Sequence, residues 1–487
     1  MATSLFSSFH GSSFRDPTPG SAVPGRTAEA PGGSTTIRGP KAAKAALFAP
    51  LLAPLLALLL SACGGSNTGT NLQDVGGFRV INAVSDAPQI TFFIEGNNIG
   101  ARAFGQASIS TLIQEGNYDI TAAAATLDNQ SITLLDDERA EVDVDEQTTL
   151  VLAGTMAAPV PIVIQTPNPD IATDFAELEL LNTAPAGTLD LHLSAPDDPL
   201  GTPLASVAAN SASAPVVVDA GTRRIRLTAA GSTDVLFDSG TFELPSGERL
   251  IIHARPYFGP GEAPLDVGVI DAVSTSSFPE AVLPVSLRIA NAIADVPAAD
   301  VSIDVDGELT TIESLAANSF SESVALNPGL AEISVTMETD PGTEFVTNSA
   351  QLQGGERRTL IAAGSFANST TNGRLAVDPQ RPIATSAQIN FIHGSVSAGR
   401  VDVYLLTDAQ TTADTPIAVA DLALLANSTL DVLANTYSLV FTPQGEQTPL
   451  ADPLSITVEN NQIYSILLTD AQSGGLPPQI IRGSDFE

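Results

Sequence analysis

Four times along the chain a short apolar strand ends in a polar side chain, crosses a small loop and re-enters as a second alternating strand. The copies open at Phe78 (F-R-V-I-N-A-V-S-D-A-P), Glu177 (E-L-E-L-L-N-T-A-P-A-G), Leu287 (L-R-I-A-N-A-I-A-D-V-P) and Ile389 (I-N-F-I-H-G-S-V-S-A-G). Their polar residues, Asn82, Asn182, Asn291 and His393, are spaced 100, 109 and 102 residues apart. Two later landmarks keep the same step. One is Q-A-S at 106–108 with A-N-S at 209–211, 317–319 and 426–428. The other is a turn ahead of an apolar strand: D-E-Q at 145–147, G-E-R at 247–249 and 355–357, and N-N-Q at 460–462. Three landmarks in register mark duplicated units, so the chain divides into several units instead of growing one core.

Within a unit the segments are short, alternate with period two and are separated by Gly, Pro and Asn turns every roughly 8 to 12 residues, the pattern of a β-sandwich. Seven strands can be read in the third unit: L-R-I-A-N, V-S-I-D-V, F-S-E-S-V, L-A-E-I-S-V-T-M, E-F-V-T-N-S-A-Q-L, R-R-T-L-I-A-A-G and G-R-L-A-V. The expectation is an all-β protein of four tandem immunoglobulin-like β-sandwich domains at residues 78–170, 174–278, 284–380 and 386–487. Pro-containing connections fall near Thr166–Thr173, Thr275–Pro284 and Asp378–Ser386. Outside the N-terminal region only Ala418–Leu425 suggests a helix, of one or two turns.

Residues 1–40 are rich in Ser, Gly and Pro without apolar periodicity and read as a disordered extension or a miscalled start. Residues 41–62 read as a signal peptide: Arg38, Lys41 and Lys44 precede the apolar run Ala45–Leu60, which is too short for a comfortable membrane span of about 20 residues. Leu60, Ser61 and Ala62 before Cys63 resemble the lipobox of bacterial lipoproteins. That resemblance implies cleavage before Cys63, lipid on its sulfur, and a chain anchored in the bacterial cell envelope. Gly64 after the cysteine implies the outer membrane. Residues 63–77 read as a tether.

From Cys63 onward there is no lysine, and 15 Arg stand against 53 Asp and Glu, a formal charge of −38. Such a surface repels phosphate backbones, which argues against nucleic acid as a partner. Schiff-base chemistry has no lysine to use. Cys63 is the only cysteine, so no disulfide forms within the chain. With no Trp and 5% aromatic residues, the cores must be aliphatic.

Candidate chemistry is sparse. Period two places Asn82, Asn182, Asn291 and His393 on the face of Phe78 and Val80 or their counterparts, where a polar group must find partners; the adjoining loop supplies them, which makes these residues loop organisers. An acid on the outer face of the second strand recurs as Asp190, Asp300 and Asp402, with Thr91 in the first unit, and reads as a solvated edge charge. The acidic runs Asp136–Glu138, Asp143–Glu146 and Asp304–Glu308 lack the ligand spacing of a calcium loop. His192, His253 and His393 lie in separate places, and there is no nucleophile elbow. Neither a catalytic set, nor a metal, nor a cofactor is implied.

The opening pattern resembles the bacterial domain-of-unknown-function family 4397, whose units open approximately R-V-x-H-A-S-P-D-A-P-x-V-D-V-Y. Arg79, Val80, Ala83, Asp86, Ala87 and Pro88 carry the match in the first unit. Asn291, Ala292, Asp295, Pro297, Asp300 and Val301 carry it in the third, and His393, Ser395, Val401, Asp402, Val403 and Tyr404 in the fourth. The resemblance implies exported, often lipid-anchored β-domains and assigns no catalytic residue. The expected function is a non-catalytic envelope protein, membrane-bound through lipid at Cys63, that offers its domains to a protein or glycan partner. An envelope-associated polysaccharide hydrolase and a periplasmic assembly or secretion accessory are the alternatives.

Overall fold

The opening strand of each unit is where the repeat landmarks converge. The structure, a computed structural model, describes residues 74–168, 170–278 and 283–483; the extension, the signal region, Leu60, Ser61, Ala62 and Cys63 lie outside the described residues. In the first unit Val75–Val84 runs parallel to Glu146–Thr155 and antiparallel to Thr111–Gln114. The same parallel pairing joins Phe175–Asn182 to Arg249–Arg255, Val285–Ala292 to Arg357–Ala363, and Ala387–His393 to Ile463–Thr469. Entry into the parallel partner needs a left-handed residue, supplied by Asp145, Gly247, Gly355 and Asn461 at φ 59°, 79°, 82° and 65°. Gly105, Asn210, Asn318 and Leu425, at φ 77°, 55°, 57° and 62°, play that part near the antiparallel partner. Gly and Asn adopt this region at low cost, which is why the turns recur with those residues.

A second sheet closes each unit. In the first it runs Asn97–Arg102, Ile90–Ile94, Gly116–Ala125, Ser131–Val142, facing the sheet Thr111–Gln114, Val75–Val84, Glu146–Thr155, Ala158–Pro167. Among the described residues eight sheets thus enclose four aliphatic cores, for example Phe78, Val80, Ile90, Phe92, Leu150 and Leu152 in the first sandwich.

Several local expectations change. The third unit has an additional strand, Glu308–Ala316, and F-S-E-S-V divides into Ser319–Phe320 and Val324–Leu326. Glu308–Ala316 is an edge strand and mostly exposed, so its sequence carries little alternation. Ala418–Leu425 holds the strand Val419–Leu422 and not a helix, because Asp421 and Leu425 both take positive φ. The opening strand begins at Val75, inside the stretch read as tether, and a Cβ at Gly76 would lie 2.1 Å from the Asp143 carbonyl oxygen. Thr275–Ser277, read as part of a connection, is an edge strand of the second unit.

The opening strands are buried on both faces, apart from Val75 and Gln388, which are partly open, and Phe175, which is exposed. Their inner faces meet their own cores. Their outer faces meet a neighbouring sandwich: Ile81, Ala83, Val151 and Ala153 pack with Leu181, Ile251 and Ile270. In the same way Ala290, Ala292, Ile361 and Ala363 pack with Ile392 and Leu467. The first sandwich is therefore set back to back against the second, and the third against the fourth. Sheets covered on both sides read as near-continuous apolar runs, which accounts for the density of Val, Ile, Leu and Ala in these strands. Small side chains let the backs approach closely; a Cβ at Gly394 would lie 2.3 Å from the Ala292 Cβ.

Candidate functional site

The four recurring polar side chains are fully buried at the inner edge of each opening strand. Asn82 donates to the Arg102 carbonyl at 2.9 Å and accepts from the Val84 amide at 3.0 Å. Asn182 donates to the Gly187 and Val207 carbonyls and accepts from the Ala184 amide. Asn291 donates to the Leu315 and Ala316 carbonyls, each at 3.2 Å, and accepts from the Ile293 amide. His393 accepts from the Ser395 amide through Nδ1 and faces the Gly399 carbonyl through Nε2. Burial keeps the His393 pKa below the ordinary histidine value. Each side chain ties the loop just after its own strand, and all but His393 also tie the end of the third strand of the unit.

The aspartate of the opening loop is a second tie, one that sequence reasoning had not assigned. Asp86 accepts from the Met156 amide, and Asp295 from the Phe366 and Ala367 amides and the Ser365 hydroxyl. In the fourth unit the direction is reversed: Asp470, after the parallel strand, accepts from Ser395 and Ser397 of the loop.

The outer acids require a correction. Asp190 and Asp402 are 6% and 2% exposed, and so are not solvated edge charges. Asp300 and Asp402 sit where the pairing of their strands skips a residue, and accept from the amides of Ser314 and Asp421, both at positive φ. They complete β-bulges, whose freed amide would otherwise be left without a partner. Asp190 accepts from the Gly231 amide, and hydrogen bonds from Ser206 and Gly231 hold its pKa below the usual range.

The acids and histidines do not converge. Among the described residues no group of three His, Cys, Asp or Glu side chains is placed to hold a metal ion. His192 faces Thr228, whereas His253 faces Thr183 at 2.9 Å and has its pKa pushed down to about 3 by burial and by Arg255.

Buried polar and charged side chains also stand where the sandwiches meet. Three residues before each organiser, on the outer face, stand Arg79, Glu179, Arg288 and Asn390, all buried. Arg79 donates to Thr149 and to the Asp271 carbonyl. Glu179 has an oxygen without a hydrogen-bond partner, and burial pushes its carboxyl up to about 7 against the pull of Arg79 and Arg249. In the second pair Arg288 lies 3.6 Å from Asp378, which accepts from Asn390 and Thr359.

A cleft of ≈ 540 Å³ opens where the first three sandwiches meet the 378–386 connection. Arg381, from that connection, donates through Nη1 to the carbonyls of Ser85 and Ala87, and the Ala384 amide donates to the Asp86 carbonyl. The Phe104 ring receives Arg381 at 5.2 Å and Arg255 at 5.7 Å, with Phe258 edge-on at 5.8 Å. Arg255 is paired with Asp266.

Residues 76–192 and 285–404 match the model of the family described as Domain of unknown function (DUF4397). Each match covers one sandwich and runs into the second strand of the next. A search of the curated proteins found no match. Among solved structures, the Bacillus anthracis TIE protein is 11% identical, covers 83% of this chain and 75% of its own, and has a TM-score of 0.15. A family CBM26 module of Eubacterium rectale Amy13K, crystallised with maltoheptaose, is 11% identical over 42% of this chain and 98% of its own, also at 0.15. At such scores neither bears on fold or function. The two matched stretches are consistent with tandem units of the domain described as Domain of unknown function (DUF4397).

Proposed function

We propose that this is a non-catalytic cell-envelope protein, anchored in the outer membrane through lipid on Cys63, whose paired sandwiches form a scaffold that presents a surface to a protein or glycan partner. The observation that carries the non-catalytic part is how the recurring polar residues are used. Asn82, Asn182, Asn291, His393 and the outer acids have their hydrogen bonds taken up inside their own sandwiches. A catalytic group needs free capacity facing a substrate, and these side chains are turned into loops and bulges instead. The anchoring part is supported by the Leu60-Ser61-Ala62-Cys63 stretch after an apolar run, followed by a Gly, Ser, Asn and Thr tether. Several acyl chains on one residue hold a protein firmly at a bilayer, where one chain is marginal.

Replacement of Cys63 by alanine in the producing bacterium tests the anchor. The account predicts release from the envelope fraction and loss of labelled palmitate. A variant that still sediments with membranes and takes up the label refutes it. Protease shaving of intact cells then distinguishes an outward-facing scaffold, which is cleaved, from a periplasmic accessory, which is protected.

A further inference from the structure

We propose that the cleft at the junction of the first three sandwiches binds a small organic carboxylate, about the size of one or two sugar rings, with Arg381 as its principal contact. The inference is independent of lipid on Cys63. It begins with the state of Arg381. This side chain is half-buried, and among the described residues only its Nη1 is hydrogen-bonded, to the carbonyls of Ser85 and Ala87. No carboxylate among the described residues lies within ion-pair reach of it, although the chain from Cys63 holds 53 acids for 15 arginines. Neither Nε nor Nη2 has a hydrogen-bond partner among the described residues, and Arg381 lines the cleft.

The surroundings hold that guanidinium in place. Two carbonyls fix one corner and the Phe104 ring covers a face, so little side-chain freedom remains to be lost when a ligand binds. The free Nε–Nη2 edge is a fork of two N–H groups matched to a bidentate oxyanion. Asp86 and Asp431 act on Arg381 from beyond contact, and both carboxylates accept hydrogen bonds elsewhere, from the Met156 amide and from Gln388. The other charges lining the cleft are matched: Arg255 by Asp266, and Glu356 by Arg358. Arg381 is therefore the lining charge without a counter-ion in contact.

Two features narrow the ligand. Tyr257 and Phe258 give the cleft an apolar wall, and its ≈ 540 Å³ lies within the usual range for a small-molecule site at a domain junction. Close approach of the walls depends on glycine; a Cβ at Gly105 would lie 2.0 Å from Arg255 Nη1, and one at Gly259 would lie 2.5 Å from the Gly355 carbonyl. The strongly acidic chain disfavours multiply charged anions more than singly charged ones. A carboxylate on a compact ring, as in a uronic acid, meets these conditions, whereas inorganic phosphate meets only the first.

Titration calorimetry of the purified protein with D-glucuronate tests the assignment, with glucose and inorganic phosphate as comparisons. Saturable glucuronate binding is expected, at least about ten-fold tighter than either comparison compound. Arg381→Gln should weaken it at least about ten-fold. Because that change also loosens the hold on Ser85 and Ala87, Gln353→Glu provides the control. It adds a negative charge to the cleft wall without touching that hold, and should weaken glucuronate by a similar factor at an unchanged melting temperature. Absence of glucuronate binding, equal affinity for phosphate or glucose, or binding indifferent to either substitution overturns the assignment.

Discussion

At the scale of single residues, the fold depends on buried polar groups that each complete one loop. The Asn291 amide joins the Leu315 and Ala316 carbonyls to the Ile293 amide in a site that is 1% exposed. Removing the side chain leaves those groups unpaired where water cannot easily replace it. Asn291→Ala is expected to lower stability by about 1 to 3 kcal/mol, read as a shift of the urea midpoint. An unchanged midpoint would mean that the loop is held by other contacts. The organisers were legible because a polar residue recurring on an apolar face has few ways to be satisfied. The bulge acids were not. Asp300 and Asp402 look like outward strand charges until the skipped pairing at Ser314 and Asp421 is known, and nothing local to the aspartate announces a bulge in the neighbouring strand.

Between elements, the outer face of the opening strand is the unexpected surface. Alternation assigns one face to the core and leaves the other unassigned, so the sequence does not say what Arg79 and Glu179 face. The apolar partners Ile81 and Leu181 carried a hint, since an exposed face seldom repeats large aliphatic residues. The polar members of this face give the interface a pH response. Burial raises the Glu179 carboxyl from 4.5 to about 7. Its protonated form favours the folded state, so its stabilising contribution is complete below about pH 4.5 and is lost as pH rises through about 7. His253 acts in the opposite sense: its pKa falls from 6.5 to about 3, so stability is lost as pH drops below about 6.5. The two overlap, and a melting curve of the wild type alone would blend them. The difference between wild type and Glu179→Gln isolates the acid, because the histidines contribute equally to both. Between about pH 5 and about pH 8 the variant is expected to gain on the wild type by up to about 3 kcal/mol, measured by urea unfolding at each pH. A difference that does not change with pH would show that the Glu179 carboxyl titrates alike in the folded and unfolded chain, so that burial does not raise it.

For the whole molecule, the repeat seen in sequence is a single sandwich, and the repeat seen in space is a pair. Residues 76–192 and 285–404, the stretches matched by the family model, each begin with the first member of a pair. The approximate number of units, their β character and their three landmarks could be read from one sequence because all three landmarks adjoin the opening strand. Back-to-back pairing could not, since it depends on which outer faces meet, and small residues such as Ala292 and Gly394 look unremarkable in isolation. The connections read as linkers also take part: Asp378 lies inside the second pair, and Arg381 and Ala384 reach the loop of the first sandwich.

Gly394 offers the most direct test of this pairing. The Cβ it lacks would fall 2.3 Å from Ala292 of the neighbouring sandwich, closer than side chains approach. Gly394→Val should therefore force the backs of the third and fourth sandwiches apart, at a cost of about 1 to 3 kcal/mol. Hydrogen–deuterium exchange read by mass spectrometry would locate the effect. The account predicts faster exchange in both members of the second pair, in Val285–Ala292 and Arg357–Ala363 as well as Ala387–His393 and Ile463–Thr469, with Val75–Val84 and Glu146–Thr155 unchanged. Faster exchange confined to the fourth sandwich, or no change at all, would contradict it.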